Sequence, residues 1–447
     1  MRMLNQGAAM ETTATATQER PCVREVTTSC SALGANYFAF GVEDAISVPN
    51  TGQGCLFTLI HGLKAKGNKD FGPVCGTGLC NREVVYGGQS RLEETIFAAE
   101  TMHDPNLIYV ADGCVPAIIG DDNVGVIQSM RGRLKKAKVV YVDTTGFDGD
   151  LVYGFNKAAL ATVNQVMDPP REKLDRTVNI MGIAYWYDSF FEGNAREMAR
   201  LMDLIGLNVN CVFGCGCTRR QIEDMPEAVL NVVVSDYINV DAAERMEEKF
   251  GVPFVYARRG TPVGLEATEE FLLEVARKTA LNLKEVEGKI AKEKKRIMEK
   301  VSIGLDYWFE RIGRHKVAIV ADSGRAIGLY RFLVNDLQLE PAFVAMTTMG
   351  VESRSILDEI ISRNGIGWRP PVLEMPDGCD IRNMADRTKP TLMLGRTPER
   401  EWCLNHGANY LPITHPVLDS IEILGRTDIG FNGMRTYLHE MVNVLLK

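Results

Sequence analysis

The eleven cysteines of this chain include no Cys-x-x-Cys pair, which excludes the compact zinc-ribbon and ferredoxin arrangements. No Gly-x-x-x-x-Gly-Lys-Ser/Thr loop is present, so the chain is not expected to hydrolyse ATP itself. No apolar run reaches the ~18 residues that would let a segment span a bilayer. The first twenty residues, with Glu11-Thr12-Thr13-Ala14-Thr15-Ala16-Thr17, lack an apolar core of signal-peptide length, so residues 1–20 read as a flexible tail rather than an export signal. Histidine is scarce, six in 447 residues, and His61, His103, His315, His406 and His439 lack metal-ligand spacing.

The net charge of -8 and the pI near 5.5 argue against a dedicated nucleic-acid binder, which needs basic surface to displace counterions from phosphate. With 45% hydrophobic and 24% charged residues the composition is that of a globular protein, and the length calls for two or three domains. An odd number of cysteines cannot complete a disulfide framework within one chain. Without an export signal they point to a reducing, cytoplasmic setting, where thiols serve metals or chemistry. Most of them still read as small core residues.

Strand-like apolar runs ending in glycine or aspartate alternate with helical patterns, as in βα units built on parallel sheets. Clear runs start at Leu107, Lys138, Thr177, Asn231, Val317 and Ala342. The best single unit is Val317-Ala318-Ile319-Val320-Ala321-Asp322-Ser323-Gly324 followed by a helical stretch, and its glycine turn is explained better by sheet-to-helix packing than by phosphate binding. Residues 281–299, rich in lysine and glutamate and free of proline, predict a long solvated helix joining two lobes. The expected fold is α/β, with three Rossmann-like lobes of parallel sheet flanked by helices. The expected domains are 21–170, 171–312 and 313–447, breaking near Asp168-Pro169-Pro170 and Arg311 to Arg314.

Three cysteines stand in unusual settings. Cys30 precedes an apolar stretch, Cys55 follows Gly52-Gln53-Gly54, and Cys114 follows a strand-like run ending in Asp112-Gly113. Strand ends and glycine turns are where α/β sheets place ligands. Thiolates from separate loops are able to hold one face of an iron-sulfur cluster, yet on spacing alone dispersed cysteines favour core packing. Cys75 and Cys80 flank a glycine loop nearby. Cys211, Cys215 and Cys217 form a strand-end Cys-Gly-Cys turn that reads as buried thiols. Cys22, Cys379 and Cys403 read as ordinary packing residues.

The order Cys30, Gly54-Cys55, Tyr86-Gly87-Gly88-Gln89, then Cys114 ahead of Ile119-Gly120-Asp121-Asp122 resembles the nitrogenase component 1 family. The resemblance extends to Thr414-His415-Pro416-Val417-Leu418-Asp419 and Gly430-Phe431-Asn432-Gly433 near the C-terminus. It implies that Cys30, Cys55 and Cys114 ligate an 8Fe-7S P-cluster or a simpler 4Fe-4S cluster at a subunit boundary. It also implies an α-type partner subunit, a separate ATP-dependent homodimeric iron protein that donates electrons, and an α2β2 heterotetramer.

In the family's α-type chain a further cysteine and a late histidine anchor the active-site cofactor. Here Ser235 stands at that cysteine position, and His415 falls on the β-type aromatic position rather than on the α-type histidine. The chain therefore resembles the β-type subunit. Asn50 and Thr51 depart from the family's usual His-Gly ahead of Cys55, which favours a nitrogenase-like reductase such as the methylthio-alkane reductase. The alternatives are a non-catalytic scaffold for cofactor assembly and a tetrapyrrole reductase subunit.

Overall fold

A computed structural model describes residues 29–65, 74–130, 132–307 and 313–445. The expected tail at 1–20, Cys22 and residues 311–312 of the second boundary lie outside the described residues.

The apolar runs become strands buried on both faces, the pattern that parallel sheets require. The first sheet contains β1 (Ala45–Asn50), β2 (Leu107–Asp112) and β3 (Lys138–Val142) in the order β1-β2-β3. The second contains β4 (Thr177–Met181), β5 (Asn208–Val212), β6 (Leu230–Val233) and β7 (Phe254–Tyr256), ordered β5-β4-β6-β7. The third contains β8 (Lys316–Ala321), β9 (Glu340–Met346), β10 (Val372–Glu374), β11 (Leu392–Gly395) and β12 (Asn409–Pro412), ordered β10-β9-β8-β11-β12. Every pairing between these strands is parallel. The fold is thus α/β, three parallel sheets with helical crossovers.

Seven helices surround the first sheet: α1 (Ser31–Phe40), α2 (Gln53–Ala65), α3 (Asn81–Tyr86), α4 (Gln89–His103), α5 (Cys114–Ile119), α6 (Asn123–Met130) and α7 (Leu151–Gln165). Helices α1 and α7 cross in backbone contact. A Cβ on Gly34 would overlap the Leu151 carbonyl, and one on Gly154 would overlap the Ser31 carbonyl, so only glycine permits the approach. Below the crossing Phe38 meets Tyr109, Phe155 and Phe213 edge-on, with centroids 5.9, 5.1 and 5.1 Å away. All four rings are buried, each contributing roughly 1.5–3 kcal/mol of transfer free energy, and Phe213 ties the first lobe to the second.

The lysine- and glutamate-rich segment forms a helix, Leu283–Tyr307, but not a solvated spacer. Val286, Ile290, Ile297 and Val301 recur at helical spacing and are buried in the core shared by the second and third sheets. Charged residues on the other face had masked this stripe.

Candidate functional site

Each of the three singled-out cysteines sits where an element of the first lobe starts. Cys30 is the N-cap of α1, Cys55 lies in the first turn of α2 just after β1, and Cys114 is the first residue of α5 just after β2. Because β1, β2 and β3 are parallel neighbours, their carboxyl ends share one edge, and residues far apart in the chain meet there. The loop after β3 completes the group. A Cβ placed on Gly146 would stand 2.6 Å from Cys114 Sγ, 3.6 Å from Cys30 Sγ and 3.8 Å from Cys30 Cβ. The two sulfurs therefore flank a point that only glycine leaves open.

The electrostatics bring in the third thiol. Burial pushes the Cys30 thiol above its ordinary value; the backbone N–H groups of Leu33 and Ala32 pull it back, and the charges of Cys114 and Cys55 push it up again. Cys30 and Cys114 as thiolates would repel one another unless a cation lay between them, and iron bound at such a point would deprotonate its thiols outright. Among the described residues, no three His, Cys, Asp or Glu side chains converge tightly enough for a single ion. Thr145 Oγ1, beside Gly146, is buried without a hydrogen-bond partner, a further polar atom left over at this edge. The donor set thus fits an iron-sulfur cluster.

Motifs that are separate in sequence are one structure here. The Gly88 N–H donates to Asp121 Oδ2 at 2.9 Å, so the Gly-Gly turn is docked on the Gly-Asp-Asp turn that follows α5. Asp112 is a buried hub: Asn50 Nδ2 donates to it at 2.8 Å, Asn123 Nδ2 at 2.9 Å and the Tyr141 hydroxyl at 2.5 Å. Burial pushes its carboxyl up, and these three donors pull it down. Sequence reasoning missed Asp112, Asn123, Tyr141, Thr145 and Gly146. The available signal was that Asp112-Gly113 and Thr144-Thr145-Gly146 follow adjacent strand-like runs.

The remaining cysteines have other surroundings. Cys80 is an exposed N-cap of α3 whose Sγ lies 2.8 Å from Glu83 Oε2, and Cys75 packs beside the core of the first sheet. Cys211, Cys215 and Cys217 are buried, and burial holds all three thiols well above their ordinary value. Cys403 is buried and Cys379 half-buried.

Ser235 and His415, the positions that the resemblance marks for cofactor anchors, are linked across the crevice between the second and third sheets. Ser235 Oγ accepts the backbone N–H groups of Ile238 at 3.0 Å and Tyr237 at 3.3 Å. The Tyr237 hydroxyl lies 3.4 Å from that of Tyr187, whose ring stacks on His415 at 5.0 Å. Nearby, Arg325 is buried against Asp188 at 2.6 Å, Asp428 at 2.8 Å and Asp322 at 3.3 Å. The turn after β8 is a packing device too: Ser323 Oγ donates to Asp236 across the same crevice at 2.6 Å. Tyr187, Tyr237 and Arg325 take up part of this place, while Asp236 and Tyr237 also line an adjoining cavity of about 620 Å³ with Tyr153, Asn156, Thr348 and Gly350.

Three parallel sheets flanked by helices, with three cysteine-bearing loops at the edge of the first sheet, define a protein of the α/β class. Comparison gives the family: residues 30–446 match the model for nitrogenase component 1 type oxidoreductase, and the chain belongs to that family. It is similar to the nitrogenase molybdenum-iron protein beta chain of Methanococcus maripaludis, 23% identical over 96% of both chains. It is also similar to the nitrogenase iron-molybdenum cofactor biosynthesis protein NifE of Clostridium pasteurianum, 25% identical over 87% of this chain and 82% of that one. The solved structure titled nitrogenase Cp1 at pH 6.5 shares the fold, with a TM-score of 0.83 at 20% identity, covering 96% of this chain and 94% of that one. No helix among the described residues is long and apolar enough to cross a membrane.

Proposed function

We propose that this chain is the β-type iron-sulfur subunit of a nitrogenase-like reductase, working in the cytoplasm, with Cys30, Cys55 and Cys114 as cluster ligands. The observation that carries the reading is the meeting of Cys30 and Cys114 at Gly146, with Cys55 within electrostatic reach. The bound cluster, of the P-cluster or 4Fe-4S type, would supply one-electron redox chemistry. The chain's own residues hold the thiols at helix starts, where the N–H groups of Leu33 and Ala32 reach Cys30, and dock the Gly-Gly turn on the Gly-Asp-Asp turn.

Electrons would arrive from an ATP-dependent iron protein and leave to a cofactor on an α-type partner in an α2β2 assembly. Two features support the partner. Elements that carry Cys55 and Cys114, and their neighbours, also present large apolar side chains to solvent: Phe57 on α2, Tyr86 on α3, Ile118 on α5 and Phe147 in the loop after β3 are 63–83% exposed. Ser235 is engaged by backbone N–H groups and His415 by the Tyr187 ring, which supports a cofactor on the other chain. The domain limits proposed are 21–170, 171–312 and 313–447, supported by one sheet within each.

The test is Cys55→Ala in the complex co-purified with its partner chain. The expected result is loss of visible cluster absorption, of iron and of turnover; unchanged iron content would end the assignment. The likeness to NifE supports a second reading, an assembly scaffold. Turnover of dinitrogen, a methylthio-alkane or a tetrapyrrole by the purified complex separates the reductases from one another and all of them from the scaffold.

A further inference from the structure

We infer that Asp112 is the positioning residue of the cysteine centre, fixing the spread of Cys55 and Cys114 and setting a negative charge beside them. The inference rests on the cluster assignment above. Asp112 closes β2 in register with Asn50, which closes β1, and the two cysteine-bearing segments leave the sheet from these two residues. The carboxylate ties them together. Asn50 Nδ2 donates to Oδ1 at 2.8 Å, Asn123 Nδ2 reaches Oδ1 at 3.0 Å and Oδ2 at 2.9 Å, and the Tyr141 hydroxyl donates to Oδ2 at 2.5 Å. The backbone repeats the link: the Gly113 N–H donates to the Asn50 carbonyl at 2.9 Å, and Thr144 Oγ1 donates to the Asp112 carbonyl at 3.1 Å. One residue therefore joins β1, β2, β3, the start of α6 and the loop leading to Gly146.

Two details distinguish this from ordinary packing. Asn50 and Asn123 commit their amide N–H groups to Asp112 while their own Oδ1 atoms are left buried and unpartnered. Such a sacrifice is unfavourable and needs a compensating role. The Asp112 side chain is also nearly fully buried, and its contacts among the described residues are neutral donors rather than a cation. Every contact donates, as an acceptor-only carboxylate requires, and these donors work against burial and the Asp143 charge, which push the carboxyl up. An architectural tie needs no charge, and burying one is costly. A fixed negative charge two residues from Cys114 opposes the arrival of an electron on a cluster held there.

The experiment uses the iron-loaded complex carrying Asp112→Asn, Asp112→Ala or Tyr141→Phe, each measured for iron per chain, for midpoint potential by redox titration followed by paramagnetic resonance, and for thermal unfolding. Asp112→Asn is expected to hold iron and shift the midpoint to a more positive value. Asp112→Ala is expected to lose iron severalfold beyond any loss of folded protein, and Tyr141→Phe to keep iron with a smaller shift to a more negative value, because the carboxylate loses a donor that offsets its charge. A wild-type midpoint in Asp112→Asn at full iron occupancy overturns the inference. Should Asp112→Asn not fold, an unchanged midpoint in Tyr141→Phe overturns it instead. Wild-type iron in Cys55→Ala would show that the cluster assignment had failed, independently of Asp112.

Discussion

Replacing Gly146 with alanine tests the convergence of the thiols by a single methyl group. The added Cβ would stand 2.6 Å from Cys114 Sγ, about 1 Å inside the ~3.5–4.0 Å at which such heavy atoms rest, and 3.6 Å from Cys30 Sγ. Gly146 is not among the glycines with positive φ, so alanine suits the backbone and the effect is steric. In the iron-free chain Cys114 is able to turn its sulfur aside, and overpacking at a half-buried site should cost no more than about 1 kcal/mol, the low end of the usual ~1–3 kcal/mol. A sulfur fixed by a cluster has no such escape. Displacing one ligand of three by about 1 Å should weaken iron retention ~10–100-fold, the range found when the support of a metal ligand is removed. The assay pairs iron per chain and visible absorption with denaturant unfolding of the iron-free protein. Wild-type iron and spectrum in Gly146→Ala would refute the claim that Cys30 and Cys114 face a shared core; equal losses of iron and stability would make the effect one of folding.

Arg325→Met leaves Asp188, Asp322 and Asp428 buried without their shared cation and should cost ~3–5 kcal/mol in denaturant unfolding, with partial recovery when Asp188→Asn is added. Burial pushes the Asp236 carboxyl up to about 6, against the donated bonds of Ser323 and Ser353. The fold therefore favours the protonated acid. That contribution is complete below the ordinary aspartate value near ~4 and is lost as pH rises through about 6, so Asp236→Asn should flatten the fall in stability across that window, by up to ~2–3 kcal/mol in a pH series of unfolding curves.

The fold was legible because parallel strands announce themselves: β2 is a run of six buried residues between a turn and a glycine, and no other element of that length suits such a run. The helix at Leu283–Tyr307 was half legible. Its composition predicted helix, but the dense lysine and glutamate hid Val286, Ile290, Ile297 and Val301, and with them a packing role. At the site, Cys30, Cys55 and Cys114 were visible as residues but their meeting was not. Whole βα units separate them, and only the strand order β1-β2-β3 brings their loops to one edge. Gly146 was invisible for a different reason. Its role is the absence of an atom between two sulfurs, and that becomes apparent only with the coordinates of both neighbours. Asp112 was overlooked because a carboxylate at a strand end is commonplace; its three donors come from three other elements.

The three lobes use the same topological feature for opposite ends. Carboxyl edges of parallel strands are where loops and helix starts converge with room for a ligand. In the second and third lobes that room is bridged: Asp188 after β4, Asp236 after β6 and Asp322 after β8 face one another across a crevice held by Arg325, Ser323 and Ser353. A buried ionic network of this kind gives little net stability, yet it is costly to break and admits few alternative packings. In the first lobe the edge stays open, with Cys55 exposed and apolar side chains on the elements around it. Under the proposed assignment the redox group therefore sits at the periphery of the chain and the rigid network at its centre. An electron placed on such a group would have an exit through the open face, into whatever chain covers Phe57, Tyr86 and Ile118.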